Sequence, residues 1–172
     1  AIEHKRGHVE RVNADAQLIA SELNLENQRC NTLELSAILH DIGQIRLPDS
    51  IVLKPGGLND EEWEMMRTHP EIGSHMIAEI PYLQPAVPIV RHHHERWDGN
   101  GYPDNLSGEE TFDAMTSDRI YRKARSAEIA YEEILAQKGR QFDPTLVEAF
   151  DRCWNRGEVT EVLSTNLGED VF

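Results

Sequence analysis

The sequence of 172 residues is poor in the features that direct a chain to secretion or into a membrane. It has two cysteines, Cys30 and Cys153, which are too few for a disulfide framework. No apolar run approaches the ~18 residues that a membrane-spanning helix needs, and the start of the sequence has no signal-peptide pattern. We therefore expect a protein of the reducing cytoplasm. Because the sequence begins at Ala1 rather than Met, we also expect a fragment of a longer chain.

The chain also lacks an excess of positive charge, since 17 Lys and Arg stand against 31 Asp and Glu, for a formal net charge of −14. A nucleic-acid backbone and an anionic membrane surface would both repel such a chain, so neither a nucleic-acid polymer nor a membrane is an expected partner. The length suits one domain, and 39% hydrophobic residues indicate a globular protein. Eight histidines among so many carboxylates offer potential ligands for divalent cations.

Apolar residues recur at helical spacing, and no segment alternates as a strand would. Steps of three and four along the first 24 residues or so predict one amphipathic helix, with its apolar stripe on Val9, Val12, Ala16, Ile19, Ala20 and Leu23. Leu33 to Leu39 predicts a second helix. Pro70 predicts the start of a further helix, with an apolar face of Ile72, Met76, Ile77 and Ile80. The fold class is therefore expected to be all-α.

Helix boundaries and loops are predicted from capping residues and from Pro and Gly. Asn59 with Glu62 resembles a capping box, and Asp143 followed by Pro144 is a second strong helix start. Pro and Gly mark loops over 48–57 and 98–108. We expect one domain over residues 1–156, followed by a loosely packed C-terminal tail over 157–172, where no clear period is present.

The histidines are grouped rather than evenly spread. They stand at His8, at His40 beside Asp41, at His69 before Pro70, and in the run His92–His93–His94–Glu95. Asp41 has two oxygens and can bridge two ions while His40 holds one of them. Mixed imidazole and carboxylate ligands suit Fe or Mn better than Zn. Two ions ~3.5–4 Å apart would hold a hydroxide for in-line attack on phosphorus.

Each group taken alone has an ordinary explanation. His40 and Asp41 could form a hydrogen-bonded pair without a metal, and the triple histidine could be a feature of the surface. His75 is expected to be a core or surface histidine without a ligand role. The metal hypothesis therefore depends on the combination of groups.

Four stretches occur in one order along the chain: HDIGQIRLPDSIVLKPG, THPEIG, HHERWDGNGYP and FDAMTSDRIYR. Together they closely resemble the HD-GYP domain, the bacterial subfamily of HD phosphohydrolases that degrade cyclic di-GMP, over nearly the whole chain. The resemblance implies an HD-domain-like helical bundle with a GYP loop. It also implies a metal-dependent phosphodiesterase that converts cyclic di-GMP to pGpG, and it leaves open whether GMP follows.

The resemblance also implies roles for particular residues. The family's metal ligands fall on His8, His40, Asp41, His69, His93 and His94. Its GYP triplet is Gly101, Tyr102 and Pro103, with Tyr102 available to the substrate or to a protein partner. Asp113 could orient a water molecule or a basic group. Glu95 and Asp98 are expected to orient ligands or to close the loop rather than to bind metal.

The cofactors and partners follow from the same resemblance. It implies two or three divalent ions, with Fe or Mn expected, and a cyclic dinucleotide as substrate. An upstream sensor or receiver domain would make the chain the output module of a bacterial signalling protein, and diguanylate cyclase domains are a further potential partner.

The family's phosphate-contacting basic pair falls on Arg119 and Arg122. These residues belong to a group of four basic side chains within seven positions, which also includes Lys123 and Arg125. Such a local cation patch on an acidic protein fits a compact anion such as phosphate. The alternative is an ordinary solvated helix face.

Two departures from the family pattern bear on activity. The family usually has Lys after HDIG, where this chain has Gln44, and losing one preorganised donor can cost ~10²–10³ in rate. The family's last metal ligand is an Asp in a stretch of about a dozen residues that is absent here, and Glu110 takes its place. A catalytically weakened module that binds cyclic di-GMP or a diguanylate cyclase domain is therefore the alternative. An HD nucleotidase that acts on ordinary mononucleotides is a third hypothesis for the function.

Overall fold

A computed structural model of the chain describes residues 2–108 and 127–167, with side chains at 9, 10, 12–108 and 127–162. The helices in these residues are α1 (Ile2–Glu22), α2 (Asn27–Leu39), α3 (Asp49–Val52), α4 (Asp60–Met66), α5 (His69–Ala78), α6 (Val87–His92), α7 (Ala127–Ala136), α8 (Pro144–Asn155) and α9 (Glu158–Leu167). Two short 3-10 helices, Ile42–Arg46 and Pro81–Ala86, lie between them. The described residues form isolated β-bridges but no strand. The prediction of an all-α fold is confirmed.

The chain divides into two compact units, Ala1–Ala37 with Ser117–Phe172, and Ile38–Thr116. In the first unit α1 packs against α8 and α9. The core of this unit consists of Ile134, Val147, Phe150, Cys153 and Val159. Helix α8 begins where the sequence predicts, because the Asp143 side chain accepts a hydrogen bond of 2.6 Å from the backbone N–H of Thr145 and Pro144 occupies the first turn.

The C-terminal segment differs from the expected loose tail. Residues Glu158–Leu167 form α9, and Val159 is buried in the core of the first unit. Val159, Val162, Leu163 and Leu167 recur at steps of three and four along this helix, a short period that the sequence analysis did not recognise. Packing against α1 and α8 stabilises α9 in the first unit. The domain boundary after residue 156 stays a prediction.

In the second unit, two glycines bring the 3-10 helix Ile42–Arg46 directly onto α5. A Cβ atom at Gly43 would overlap the carbonyl oxygen of His69 and lie 2.6 Å from the backbone nitrogen of Gly73. A Cβ atom at Gly73 would in turn lie 3.1 Å from the nitrogen of Gly43. Helix α6 packs against α5 as well. The turn after α2, the start of α5 and the end of α6 therefore lie side by side.

Several local predictions in this unit are confirmed. The side chain of Asn59 accepts a hydrogen bond of 2.9 Å from the N–H of Glu62, and the Glu62 carboxylate accepts one of 2.8 Å from the N–H of Asn59. This reciprocal pair is the predicted capping box at the start of α4. Pro70 lies in the first turn of α5, also as predicted.

Three expectations for helices need correction. Helix α2 begins at Asn27, six residues before the predicted start, because its polar first half shows no apolar period. The predicted loop over 48–57 contains the single-turn helix α3. On α5, Ile77 is buried and Met76 is 36% exposed, and Ile80, which is 46% exposed, lies two residues beyond the end of the helix. Periodicity identifies an apolar stripe on a helix, but it does not indicate how much of the stripe a neighbour covers.

Candidate metal centre

Four side chains of the second unit converge on one point. Asp41, His69, His93 and His94 each present one potential ligand atom, and these four atoms lie within 4.8 Å of one another. The four residues come from three segments: the turn after α2, the first residue of α5, and the turn after α6. The close approach of Gly43 to α5 holds the first two segments together. The convergence therefore follows from the packing of α5 between its two neighbours.

The two oxygens of Asp41 face different histidines. Oδ1 lies 3.1 Å from Nε2 of His69 and 4.0 Å from Nε2 of His93. Oδ2 lies 3.5 Å from Nε2 of His40, whose side chain is buried. The carboxylate thus presents one oxygen to His40 and the other to His69 and His93.

Backbone carbonyls fix the orientation of two imidazole rings. Nδ1 of His69 lies 2.7 Å from the carbonyl oxygen of Met66, and Nδ1 of His93 lies 2.9 Å from that of Val90. Because a carbonyl oxygen only accepts, each Nδ1 carries the hydrogen. Nε2 of a neutral ring then offers its lone pair to the interior of the cluster. Protein metal sites use such a hydrogen bond to the outer nitrogen to orient a histidine ligand.

The distances between the ring nitrogens allow the fit of a cation to be tested. Nε2 of His69 lies 3.2 Å from Nε2 of both His93 and His94. Facing lone pairs at this distance repel each other unless a proton or a cation lies between them. Two nitrogens bound to one ion at about 2.0–2.1 Å, at an angle of about 100°, are about 3.2 Å apart. The cluster therefore fits a divalent ion that accepts imidazole and carboxylate ligands.

The protonation states of the cluster also suit a cation. Burial, and then the charges of His40 and His69, lower the pKa of His93 to about 3. Burial by itself would raise the pKa of Asp41, but donation from His69 when its ring is protonated, and the positive charges of the neighbouring histidines, outweigh it and hold this pKa below its usual range. At neutral pH, His93 is therefore neutral and Asp41 ionised, and these are the forms that bind metal.

One buried carboxylate holds the GYP loop, residues 98–108, next to the cluster. Glu95 is 2% exposed. Its Oε1 accepts a hydrogen bond of 2.6 Å from the N–H of Asp104, and its Oε2 accepts one of 3.0 Å from the N–H of Leu106. A Cβ atom at Gly101 would overlap the backbone of Glu95, so the loop can approach this closely only with glycine. The expectation that Glu95 closes the loop is confirmed.

Asp98 also acts within the loop. Its carboxylate pairs with the Arg96 guanidinium at 2.7 Å and accepts a hydrogen bond of 3.1 Å from the N–H of Asn100. The hydrogen bond with Arg96, as the largest effect, lowers the pKa of Asp98 to about 2. The carboxylate is thus engaged in shaping the turn, as expected.

Tyr102 lies against the histidine cluster. Its ring stacks on the ring of His94, with centroids 4.6 Å apart and planes at 23°. The guanidinium carbon of Arg67 lies 5.5 Å from the centroid of the Tyr102 ring. The following peptide bond, Tyr102–Pro103, is cis. The sequence identifies Tyr102 as a loop residue near the site, but it does not single out Arg67.

His92 lies outside the cluster, although it precedes two members of it. Its Nε2 lies 2.8 Å from the Asp104 carboxylate, which also forms a bidentate pair with Arg91 at 2.7 and 2.9 Å. The hydrogen bond with Arg91, as the largest effect, lowers the pKa of Asp104 to about 2. His92 is the last residue of α6, whereas His93 and His94 lie in the turn after it, so the run of three histidines delivers two ligands to the cluster.

A family model described as the HD domain matches residues 2–146 of the chain. The chain belongs to the HD domain family. HD domains are metal-dependent phosphohydrolases, and the histidine–aspartate cluster of this HD domain agrees with that chemistry. The resemblance to the HD-GYP members, stated from the motifs, is confirmed.

Three similar proteins are named for cyclic dinucleotides. The cyclic di-GMP phosphodiesterase response regulator RpfG of Xanthomonas campestris is 38% identical over 88% of this chain and 45% of its own length. A cyclic di-GMP phosphodiesterase of Thermotoga maritima is 38% identical over 95% of this chain and 48% of its own length. The 3′3′-cGAMP-specific phosphodiesterase 2 of Vibrio cholerae is 35% identical over 86% of this chain and 31% of its own length. The chain thus spans less than half the length of these curated relatives.

One of these alignments contains gaps in this chain. The alignment with the Xanthomonas protein extends over 170 positions, yet it covers 88% of the 172 residues of this chain. That relative therefore carries residues that this HD domain lacks.

Among the helices of the described residues, none combines the length and apolar character that crossing a bilayer requires.

The remaining predicted site residues are placed as follows. Gln44 lies in the 3-10 helix Ile42–Arg46, three residues after Asp41, and is partly exposed. His8 belongs to α1, and its side chain lies outside the described residues. His75 is exposed on α5, as an ordinary histidine would be. Four further residues lie outside the described part of the chain: Glu110, Asp113, Arg119 and Arg122.

Proposed function

We propose that this HD domain hydrolyses a phosphodiester bond of cyclic di-GMP and releases pGpG. The observation that supports the proposal is the convergence of Asp41, His69, His93 and His94, whose ligand atoms lie within 4.8 Å of one another. The relatives from Xanthomonas and Thermotoga are named for this activity. Chromatography of the products separates release of pGpG alone from further cleavage to GMP.

The proposed ligands are those whose donor atoms face the cluster. Asp41, His69, His93 and His94 would hold one divalent ion, and His40 with the second oxygen of Asp41 would contribute to another. His8 and Glu110 are added from the family pattern alone. Fe or Mn is the proposed metal, with two or three ions, because the ligands are imidazole and carboxylate without thiolate. When bound, such ions supply Lewis acidity, which lowers the pKa of water and offsets charge at phosphorus.

The protein's own side chains would prepare the site for this chemistry. The carbonyl oxygens of Met66 and Val90 keep two imidazoles turned inward, so the ligands need no rearrangement. Tyr102, fixed by stacking on His94, would form one wall of the substrate site. Gln44 would donate a neutral hydrogen bond near the phosphate. From the family pattern, Arg119 and Arg122 would bind phosphate and Asp113 would orient water.

The broader setting is also a proposal. We place the domain in the cytoplasm, as the output module of a longer signalling protein with an upstream sensor or receiver domain. Diguanylate cyclase domains remain potential partners through the GYP loop. The two free cysteines agree with a reducing compartment.

The decisive experiment is hydrolysis by purified protein. The protein is stripped with EDTA, reloaded anaerobically with Fe(II) or Mn(II), and incubated with cyclic di-GMP; chromatography then measures pGpG and GMP. We expect pGpG to form, and we expect Asp41→Asn to lower the rate by at least about 10-fold. His75→Ala is the matched control and should retain activity. Binding of cyclic di-GMP without any pGpG over hours would instead support the catalytically weakened module.

Two competing substrates refine the assignment. Because one relative is named for 3′3′-cGAMP, that dinucleotide is tested in parallel with cyclic di-GMP. A mononucleotide panel tests the nucleotidase alternative, which requires no cyclic dinucleotide. Faster cleavage of a mononucleotide than of either cyclic dinucleotide would contradict the proposal.

A further inference from the structure

Arg67 contacts the Tyr102 ring, which stacks on His94 of the candidate metal centre. It follows the end of α4 and precedes His69 by two residues. Its guanidinium carbon is 5.5 Å from the centroid of the Tyr102 ring, and that ring is 4.6 Å from the ring of His94. The guanidinium therefore lies within about 10 Å of a proposed metal ligand, on the side of the GYP loop. A cation beside an aromatic ring at this distance is held by cation–π attraction.

The charge of Arg67 is available to an anion. Three of the five Lys and Arg side chains within the described residues 38–108 form ion pairs: Lys54 with Glu62, Arg91 with Asp104, and Arg96 with Asp98. Arg67 is exposed, and within the same residues no carboxylate lies within ion-pair distance of it. In a chain with a net charge of −14, such a cation beside a site for anionic substrates is unusual.

The chemistry of the substrate class suggests what Arg67 would bind. A cyclic dinucleotide carries two phosphodiester groups within one macrocycle, so a second anion lies near the one that is cleaved. A guanidinium presents a planar fork of N–H donors that matches two phosphate oxygens. The Tyr102 ring stands between Arg67 and His94, so the guanidinium is placed beside the cluster and not within it.

We propose that Arg67 binds the second phosphate of the cyclic dinucleotide, the one that is not cleaved; this inference rests on the proposed function. Arg67 is then a specificity-determining residue, which favours substrates with two phosphates over substrates with one. A charge-assisted hydrogen bond at a partly exposed position corresponds to about tenfold in affinity. Substrates with a single phosphate gain nothing from it.

The test compares two substrates on the metal-loaded protein. Arg67→Gln removes the charge at similar length, and Arg67→Lys keeps the charge without the fork. Arg46→Gln is the matched control, because Arg46 is the other exposed arginine of this unit without a described ion pair. Calorimetry with a hydrolysis-resistant bisphosphorothioate analogue of cyclic di-GMP measures Kd. KM and kcat are measured with cyclic di-GMP and with bis(p-nitrophenyl) phosphate, which has one phosphate.

We expect Arg67→Gln to raise Kd and KM for the cyclic dinucleotide about tenfold, with kcat for both substrates within about twofold of wild type. The KM for bis(p-nitrophenyl) phosphate should not change, Arg67→Lys should be intermediate, and Arg46→Gln should match wild type. An unchanged Kd in Arg67→Gln would overturn the inference. An equal fall in kcat for both substrates would also overturn it, since Arg67 would then only position Tyr102. If metal-loaded wild type neither binds nor cleaves cyclic di-GMP, the proposed function itself fails.

Discussion

Replacing Glu95 with Gln tests whether a single buried carboxylate holds the GYP loop in place. Glu95 accepts hydrogen bonds from two backbone N–H groups, those of Asp104 and Leu106. The amide of Gln has nearly the same shape but only one oxygen, so its NH₂ group would face one of the two N–H donors. The substitution thus removes one hydrogen bond to a charged acceptor, and it leaves the NH₂ group of Gln facing a backbone N–H group, so that two donors repel each other.

The size of the effect follows from the burial of Glu95. Hydrogen bonds to charged groups contribute about 1.5–3 kcal/mol, and Glu95 is 2% exposed, so water cannot replace the lost acceptor. We expect the free energy of unfolding to fall by about 2–3 kcal/mol. For a protein of this size, that change lowers Tm by about 4–12 °C.

Two measurements check this prediction. Circular dichroism gives Tm, and hydrogen–deuterium exchange reports the amides of Asp104 and Leu106, which should exchange faster in Glu95→Gln. Glu64→Gln, an exposed position on α4, makes the same chemical change away from the loop and should stay within about 0.5 kcal/mol of wild type. If Glu95→Gln matched this control in both Tm and exchange, the two hydrogen bonds would not be what holds the loop.

Three other predictions address the metal and the loop. His69→Ala should lower the metal content by at least one ion per chain in elemental analysis, while His75→Ala on the same helix should keep the wild-type content; equal contents would argue against the cluster as the binding site. Loading with Mn(II) at 100 times Kd should stabilise the protein by about 2.7 kcal/mol, or about 5–11 °C in Tm, over the EDTA-treated form. Identical melting curves would contradict metal binding. Gly101→Ala should cost about 1–3 kcal/mol or more because its Cβ meets the backbone of Glu95. Gly57→Ala, where a Cβ meets nothing within 4 Å, should change Tm little.

The parts of the fold that the sequence predicts well are those determined by local chemistry. The capping box of Asn59 and Glu62 and the start at Asp143 each involve side chains and backbone groups two or three residues apart. The burial of Val159 on helix α9 could not be predicted in the same way, because it depends on α1 and α8 rather than on the neighbours of Val159 in sequence. The exposure of Met76 on α5 has the same origin, since nothing in a helical period indicates how far a neighbouring element extends.

In the candidate site, too, the sequence predicts some features and not others. Motif spacing identifies Asp41, His69, His93 and His94, and the structure brings these four together. Motif spacing does not identify Arg67, which lies 35 positions before Tyr102 in the sequence and matches no ligand pattern. Ring orientation is equally hidden from the sequence, because it depends on which carbonyl each Nδ1 reaches once the helices have packed.

The charges of the second unit explain why an anionic substrate would need a cation at the cluster. With Asp41 ionised and His93 neutral at neutral pH, the cluster alone presents negative charge and lone pairs to a phosphate. Most Lys and Arg side chains of the described residues 38–108 are already neutralised by carboxylates. Gln44, at the position where the HD-GYP resemblance implies Lys, adds no charge. Because these residues leave little positive charge near the cluster beyond Arg67, the affinity for a cyclic dinucleotide should depend on bound metal more steeply here than in a domain that retains the lysine.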